Sequence, residues 1–343
     1  MEILEKEKIL VIQTAFLGDA VLTLPLIQEI KRAFPSSSID VVCIPATAEL
    51  FKHAPAVDEV IAYDKRRTQK SVGDFIRLLL RVRNKKYSRV YSPHRSFRST
   101  MISYFSGAKF TSGFDNSSLY WLYKFCACYE KNIHEVARNL RLIDFDISDN
   151  KWRILPLLEI PGEITRKVEN LKRELGGKKI AAVAPGSIWM TKIYPALYFK
   201  EVIKFLVASD YYVVLIGGRQ DEELSGGIER EFNEHVKSFA GRLNIIESVA
   251  LLKHASFLIS NDSAPTHLAM IADIPVLTLY CSTVPSFGFS PYNKKSKTLS
   301  FDDLNCKPCG IHGYKSCPIK TFECGFKLLP EIVCDHLHNY FIT

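Results

Sequence analysis

No stretch of this 343-residue chain approaches the roughly 18 consecutive apolar residues that a membrane-spanning helix requires. The amino end, residues 1–8, carries acids and lacks a long apolar core, which argues against a secretory signal and makes the cytoplasm the expected compartment. A complete Gly-x-Gly-x-x-Gly fingerprint is missing from the first half, so a nicotinamide domain is not expected there. Acids are in deficit, 37 against 45 Lys and Arg. The resulting formal charge of +8 asks for an anionic partner without choosing a class of anion. A hydrophobic share of 47% with 24% charged residues is that of a globular protein, and the length suits two domains with a core each.

What the chain does have is a repeated succession of strand, polar turn and helix. The apolar run at 256–259 is followed by Ser260-Asn261-Asp262-Ser263-Ala264-Pro265-Thr266-His267. Ser263 or Asp262 is placed to cap a helix, and Pro265 suits its first turn, where a missing N–H costs nothing. Pro275 then opens the next apolar run, 276–280. The free N–H groups at such a helix start hold anions, phosphates above all. Two upstream loops are of the same kind. Pro185-Gly186-Ser187-Ile188-Trp189-Met190-Thr191-Lys192 follows the strand at 180–184, and Gly217-Gly218-Arg219-Gln220-Asp221-Glu222-Glu223 follows the strand at 212–216. Parallel sheets bind ligands beyond the carboxyl ends of their strands, so the three loops are expected at one crevice. A hydroxyl, a lysine, a helix start and a carboxylate together suit a nucleoside diphosphate.

The first half repeats the alternation, with strands at 9–12, 39–43, 59–63, 89–92 and 110–114. A helix over 72–82 is expected to carry Phe75, Ile76, Leu79 and Leu80 on one side. Alternating strands and helices argue for α/β architecture with parallel, Rossmann-like sheets. A proline-rich stretch at 154–163 reads as the linker between halves.

Pro185-Gly186-Ser187 with Trp189, Lys192 and Pro195, then Asn261-Asp262-Ser263 with His267-Leu268-Ala269 and Pro275, resemble the bacterial lipopolysaccharide heptosyltransferases, glycosyltransferase family 9. Gly18-Asp19-Ala20-Val21-Leu22-Thr23-Leu24-Pro25 extends the likeness to the amino end, so it covers nearly the full length. Ala264 and Tyr194 stand where the family usually has Gly and Trp. The resemblance implies a GT-B fold, two Rossmann-like domains facing each other across a cleft. Residues 1–155 would bind the acceptor and 163–325 the nucleotide sugar, with 326–343 packing back on the first domain.

It also implies an inverting transfer of heptose from ADP-heptose to the inner-core sugar of a lipopolysaccharide precursor. The diphosphate would lie near Ser187, Lys192 and the backbone N–H groups of Ser263, Ala264 and Thr266. Glu222, with Glu223 beside it, would hold the ribose hydroxyls. Asp262, which repels phosphate, would cap the helix or meet a sugar hydroxyl, and His267 would support that loop or touch the diphosphate. Asp19, whose place at a helix start reads first as a plain cap when the resemblance is set aside, becomes with it the general base. His94, Arg95 and Arg98 follow a strand end and would enter the acceptor cleft.

Basic residues, Arg66 and Arg67 among them, crowd 65–98 in numbers too large for one helix face. Most read as solvated surface. As a group they suit an anionic Kdo–lipid A type acceptor at the inner face of the inner membrane, and no nucleic acid is expected. No divalent metal is required for catalysis in this scheme, because lysine and helix N–H groups carry the leaving-group charge. Asp144-Phe145-Asp146 has the form of a metal-binding DxD but follows a helical stretch and is discounted. Of the nine cysteines, Cys306, Cys309, Cys317 and Cys324 fall within some twenty residues, and such spacing suits either one structural zinc, with His312 as a substitute ligand, or four reduced thiols. Two other functions fit parts of the pattern: a GT-B enzyme using another nucleotide sugar, and a non-catalytic polyanion-binding protein stapled by zinc.

Overall fold

Parallel neighbours in a sheet cannot be joined by a hairpin, so each short apolar run becomes a strand and a helix usually carries the chain back to the next. A computed structural model describes residues 7–65 and 68–342; Arg66, Arg67 and the start of the chain at 1–6 lie outside the described residues. The chain divides into two compact units, Met1–Glu159 and Ile160–Thr343, the division falling within the proline-rich stretch.

The first unit runs β1 (Lys8–Gln13), α1 (Leu17–Ala33), β2 (Ser38–Cys43), α2 (Pro45–Lys52), β3 (Glu59–Ala62), α3 (Val72–Asn84), β4 (Arg89–Tyr91), α4 (Phe97–Phe105), β5 (Phe110–Phe114), β6 (Phe125–Ala127) and α5 (Glu135–Leu140). All its strand pairings are parallel, in the order β3-β2-β1-β4-β5-β6. Leu10, Ile12, Val42, Ile61 and Val90 fill one face of the sheet against α3 and α4.

Ser71 and Asp74 start α3 with a reciprocal cap: Asp74 N–H donates to Ser71 Oγ at 3.0 Å and Ser71 N–H to Asp74 Oδ2 at 3.1 Å. The helix faces the core with Leu78 and Val82, flanked by Phe75 and Leu79. Ile76 and Leu80, expected beside Phe75 and Leu79, are instead 48% and 55% exposed. The core takes the row 75, 78, 79, 82 at helical spacing, and a residue one step further round turns outward.

The second unit runs α6 (Gly162–Glu174), β7 (Lys179–Ala184), α7 (Ala196–Ala208), β8 (Tyr211–Leu215), α8 (Glu222–Phe232), β9 (Val236–Ser238), α9 (Ile245–Leu252), β10 (Ala255–Asn261), α10 (Ala264–Ala272), β11 (Val276–Tyr280), β12 (Lys297–Ser300), α11 (Glu323–Phe326) and α12 (Pro330–Tyr340). Its sheet, β12-β11-β10-β7-β8-β9, repeats the first unit's order within its own numbering. Three strands absent from the sequence reading, β6, β9 and β12, are all sheet edges. An edge strand is covered on one side only, and Val236-Lys237-Ser238 or Lys297-Thr298-Leu299-Ser300 shows no apolar run to read.

In the terminal segment, residues 326–342 contribute to the core of the second unit. Helix α12 packs on α7, its Val333 and Leu337 are fully buried, and the Phe341 ring lies 5.5 Å from that of Phe257. Leu337→Ala is therefore expected to destabilise the second unit by about 2–5 kcal/mol, the usual range for emptying a buried leucine site. Urea unfolding followed by probes in each unit checks this. A loss confined to the first unit's transition would contradict the packing.

Candidate active site

In the first unit the strand order reverses between β1 and β4, and the loops leaving their carboxyl ends diverge there, which is where open α/β sheets bind ligands. The β1 loop leads into α1, whose cap position is Phe16 and carries no side-chain cap. Asp19 occupies the first turn. Burial, then the neighbouring Glu135 carboxylate, push its pKa from the ordinary 3.8 up to about 7, against backbone hydrogen bonds from Asp19 and Phe16 and the Arg95 guanidinium. Helix α5 packs on α1 and supplies Glu135, to which buried Arg138 donates at 2.6 Å. Arg138 also donates to the carbonyls of Glu130 (2.8 Å) and Lys131 (2.7 Å), so its position is fixed. The Arg95 and Arg138 guanidiniums both lie over the Tyr129 ring, at 4.0 and 4.9 Å from its centroid.

The β4 loop meets the β1 loop through His94, whose Nδ1 is 2.9 Å from Thr14 Oγ1 and 2.8 Å from Ser99 Oγ. Lys65 Nζ donates to the Thr14 carbonyl at 2.9 Å. Burial, with Lys65 and Arg95 nearby, lowers the His94 pKa to about 4, so the imidazole is neutral at pH 7. It joins two loops by hydrogen bonds rather than offering a charge.

In the second unit the order reverses between β7 and β10. Asn261, fully buried at the end of β10, accepts from Tyr194 N–H at 2.9 Å and donates to the carbonyls of Pro185 (2.8 Å) and Gly186 (3.3 Å). One side chain thus ties the two diverging loops. Beyond it, Lys192 Nζ lies 2.7 Å from Asp262 Oδ2, which also accepts from Thr283 Oγ1 at 2.7 Å. An ammonium has three N–H donors, and the one aimed at Asp262 leaves two. Helix α10 starts with no side-chain cap and with proline in its first turn, so the Ala264 N–H is among the donors that a helix start leaves for an anion.

The β8 loop is held by Asp221, buried, which accepts from Gly218 N–H at 2.8 Å and Gln220 Nε2 at 3.1 Å. A Cβ on Gly186 would lie 1.9 Å from Asp221 Oδ1, so only glycine lets these loops close. Glu222 starts α8, exposed, with its carboxylate laid over Gly241 in the loop after β9. A fourth segment is bonded to the lysine turn: buried Thr191 Oγ1 accepts from Tyr314 N–H (2.8 Å) and Ser282 Oγ (3.0 Å), and Thr191 N–H donates to the Tyr314 carbonyl (3.1 Å).

Residues 75–316 match the model of glycosyltransferase family 9 (heptosyltransferase). The chain belongs to that family. It is 24% identical over 314 residues to lipopolysaccharide heptosyltransferase 2 of Escherichia coli K12, covering 85% of this chain and 87% of the relative. Lipooligosaccharide heptosyltransferase 2 of Campylobacter jejuni serotype O:6 is 25% identical over 96% of this chain and 98% of its own. The solved E. coli ADP-heptose lipopolysaccharide heptosyltransferase II has a TM-score of 0.80 at 22% identity, over 97% of this chain and 98% of that one. The fold is GT-B, and the chain is a glycosyltransferase of the heptosyltransferase family.

Within this family 9 glycosyltransferase, the sequence-derived residues fall into two groups. Asp19 and Arg95 stand together, as do Lys192, Asp262 and the start of α10, with Ser187 partly exposed in the β7 loop. A second group supports the loops. Asp262 does not cap the helix; its Oδ2 anchors Lys192, because a largely buried carboxylate is stable beside a cation. Thr266 is buried with its hydroxyl on the Asn261 carbonyl at 3.2 Å, and Ser263 Oγ reaches the same carbonyl at 3.3 Å. His267 is buried, its pKa lowered to about 4 chiefly by burial, and its Nδ1 has no partner among the described residues. Ala264 offers only backbone. The Arg98 guanidinium lies 5.9 Å over the Phe75 ring of α3. Glu135, Asn261 and Asp221 were missed. Asn261 and Asp221 stand inside the quoted motifs, whereas nothing local marks Glu135.

The zinc expectation rests on Cys306, Cys309, Cys317 and Cys324. Among the described residues no group of three or more His, Cys, Asp or Glu side chains is arranged to hold a metal ion. Cys306 is exposed and Cys324 is buried, its pKa pushed up to about 11 chiefly by that burial; the Cys309, Cys317 and Cys306 thiols add to the rise, and Cys306 and Cys317 raise Cys309, so the four thiols stand near one another. His312, the substitute ligand, stacks on Trp189 with ring centroids 6.0 Å apart. Asp144 and Asp146 line a groove of about 810 Å³ with Arg89, Phe110 and Phe125, at the amino ends of β4 to β6 and away from Asp19.

Asp19 binds its proton more tightly folded than unfolded. It therefore favours the folded state below pH 3.8, and that contribution is lost as pH rises through about 7. Asp19→Asn, which removes the titration, is expected to raise Tm at pH 8 relative to the parent and to leave Tm nearly unchanged at pH 4. Differential scanning calorimetry at the two pH values checks this, and an equal shift at both would contradict the elevated pKa.

Proposed function

We propose that the chain transfers heptose from ADP-heptose to the inner-core sugar of a lipid-carried lipopolysaccharide precursor, with inversion at the anomeric carbon. The second unit holds the donor. Lys192 and the N–H groups at the start of α10 meet the diphosphate, Ser187 adds a hydroxyl, and Glu222 takes the ribose hydroxyls. The first unit acts on the acceptor. Asp19 takes the proton of the attacking hydroxyl, the new bond forms to the anomeric carbon, and the bond from that carbon to the phosphate oxygen breaks as ADP departs. Charge grows on that oxygen, where preorganised donors are worth about 3 kcal/mol each in the transition state. Asp262 keeps the ammonium in place while leaving it donors to spare.

The observation that carries this reading is the carboxyl of Asp19, raised to about 7 at the ligand-binding end of its sheet. A base acting near neutral pH needs such a value, because one much lower would have little drive to take a hydroxyl proton. A polyanion-binding surface gives no reason for it. The relatives' names supply the sugar and the acceptor class; the working compartment is the cytoplasmic side of the membrane that carries the acceptor.

For the wild type, kcat/KM with ADP-heptose and a deacylated acceptor should rise with pH through an apparent pKa near 7 and level off above it. Asp19→Ala should lower turnover by about two orders of magnitude or more while ADP binding, measured by calorimetry, stays within about twofold. Loss of both together would make Asp19 a structural cap. Lys192→Ala should weaken ADP binding and turnover together, and unchanged kinetics would remove it from the site. In a thermal-shift panel, ADP should stabilise the protein more than UDP or GDP. The opposite order would overturn the donor.

A further inference from the structure

We propose that one face of the first unit, built by α3, α4 and the turn Tyr120–Leu122, docks on an anionic phospholipid surface. This deepens, and rests on, the reading that the acceptor is carried by a lipid. Helix α3 leaves Val72, Ile76 and Leu80 exposed in a row four residues apart, Val72 at 76%, while a different row faces the core. Helix α4 packs on α3 and exposes Phe97, Tyr104 and Phe105. The turn Tyr120–Leu122 lies against α4 and exposes Tyr120 and Trp121, the latter at 65%. The aromatic pairs Tyr104–Phe105 and Tyr120–Trp121 meet edge to face at 5.2 and 5.5 Å, so the apolar surface is made of mutually braced rings. Scattered exposed apolar residues need no explanation; an apolar face continued across three adjoining elements does.

Charge decides the occupant. Among the described residues of 65–124, Arg81, Lys85 and Arg89 pair with Glu59, Asp40 and Glu7, while Lys70, Arg77, Arg83, Lys86, Lys109 and Lys124 are exposed, against two acids in that stretch, Asp74 and Asp115. Asp74 is already engaged by Ser71 and Arg77. Arg83, on the outward side of α3, reaches the Phe105 carbonyl at 3.5 Å and so sits at the junction with α4. Aliphatic and aromatic side chains flanked by Lys and Arg, with Tyr and Trp among them, are the composition that settles at the boundary of headgroups and acyl chains. Each basic residue near an anionic leaflet adds about 1 kcal/mol. A second copy of this chain is a poor occupant, because a twofold contact would set basic face against basic face. A nucleic acid has no use for the aliphatic row.

The protein should sediment with vesicles of phosphatidylethanolamine and phosphatidylglycerol at about 0.1 M salt and remain in the supernatant with phosphatidylcholine alone. The triple variant Ile76→Ser, Leu80→Ser, Trp121→Ser should lose about tenfold or more of the partition into anionic vesicles. Such a loss corresponds to about 1.4 kcal/mol. Its transfer to a water-soluble deacylated acceptor should match the wild type. Transfer to the same acceptor embedded in vesicles should fall by a similar factor. Arg83→Glu with Lys86→Glu, which keeps the apolar face, should weaken binding to anionic vesicles alone. Undiminished sedimentation of both variants would overturn the proposal. So would a wild-type dimer in light scattering that the triple variant converts to monomer, since the face would then be a protein interface. Vesicle binding without any heptose transfer would leave the docking face standing and overturn the assigned reaction.

Discussion

A parallel sheet must send its chain back over one face or the other after every strand, and where the side of return changes, two neighbouring strands release their loops in opposite directions. That divergence is the constraint on which the rest depends. Each unit has one such place, between β1 and β4 in the first and between β7 and β10 in the second. A notch opens there without any residue having been chosen to make it, and the polar turns ending the strands line it. The same strand order occurring twice in one chain therefore yields two ligand-binding ends, which the sequence has furnished differently: carboxylates and guanidiniums at Asp19, and an ammonium with helix N–H groups at Lys192.

Holding the notch open is a matter of polar satisfaction. Loops that diverge leave buried carbonyls and N–H groups without strand partners, and such groups are costly unless bonded. Asn261 meets three of them with one side chain, and Asp221 does similar work where Gly186 comes too close to carry any side chain. Asp262 spends its charge on Lys192 and Thr283. Several side chains that look reactive in the sequence are thus occupied in keeping the reactive ones in position. His267 and Thr266 belong to the same supporting layer, both buried behind the loop.

The parallel sheets and the loops that carry Asp19, Lys192 and Ser263 were legible because each strand ends in a turn whose residues serve a local need: proline in a first helical turn, glycine at a close approach, a hydroxyl beside a helix start. Edge strands were not legible, since Val236-Lys237-Ser238 is covered from one side and needs no apolar run. The facing of α3 was misjudged because Ile76 and Leu80 satisfy an apolar count as well as Leu78 and Val82 do, and only packing decides between the rows. Glu135 was invisible for a different reason. Its influence on Asp19 acts through space between α5 and α1, more than a hundred residues apart in the chain.

The bonds between Thr191 and Tyr314 have a mechanical meaning for how such a chain can vary. Gly313, at φ +75°, brings its Cα so near Thr191, Ser282 and Lys192 that the segment before Tyr314 behaves as a tether of fixed length, moored at one end by Cys309 N–H on the Ser282 carbonyl. Adding or deleting a residue between those moorings would shift the pitch of the lysine turn directly. Chain length is therefore most tightly rationed in an irregular loop, the kind of place where insertions are ordinarily absorbed.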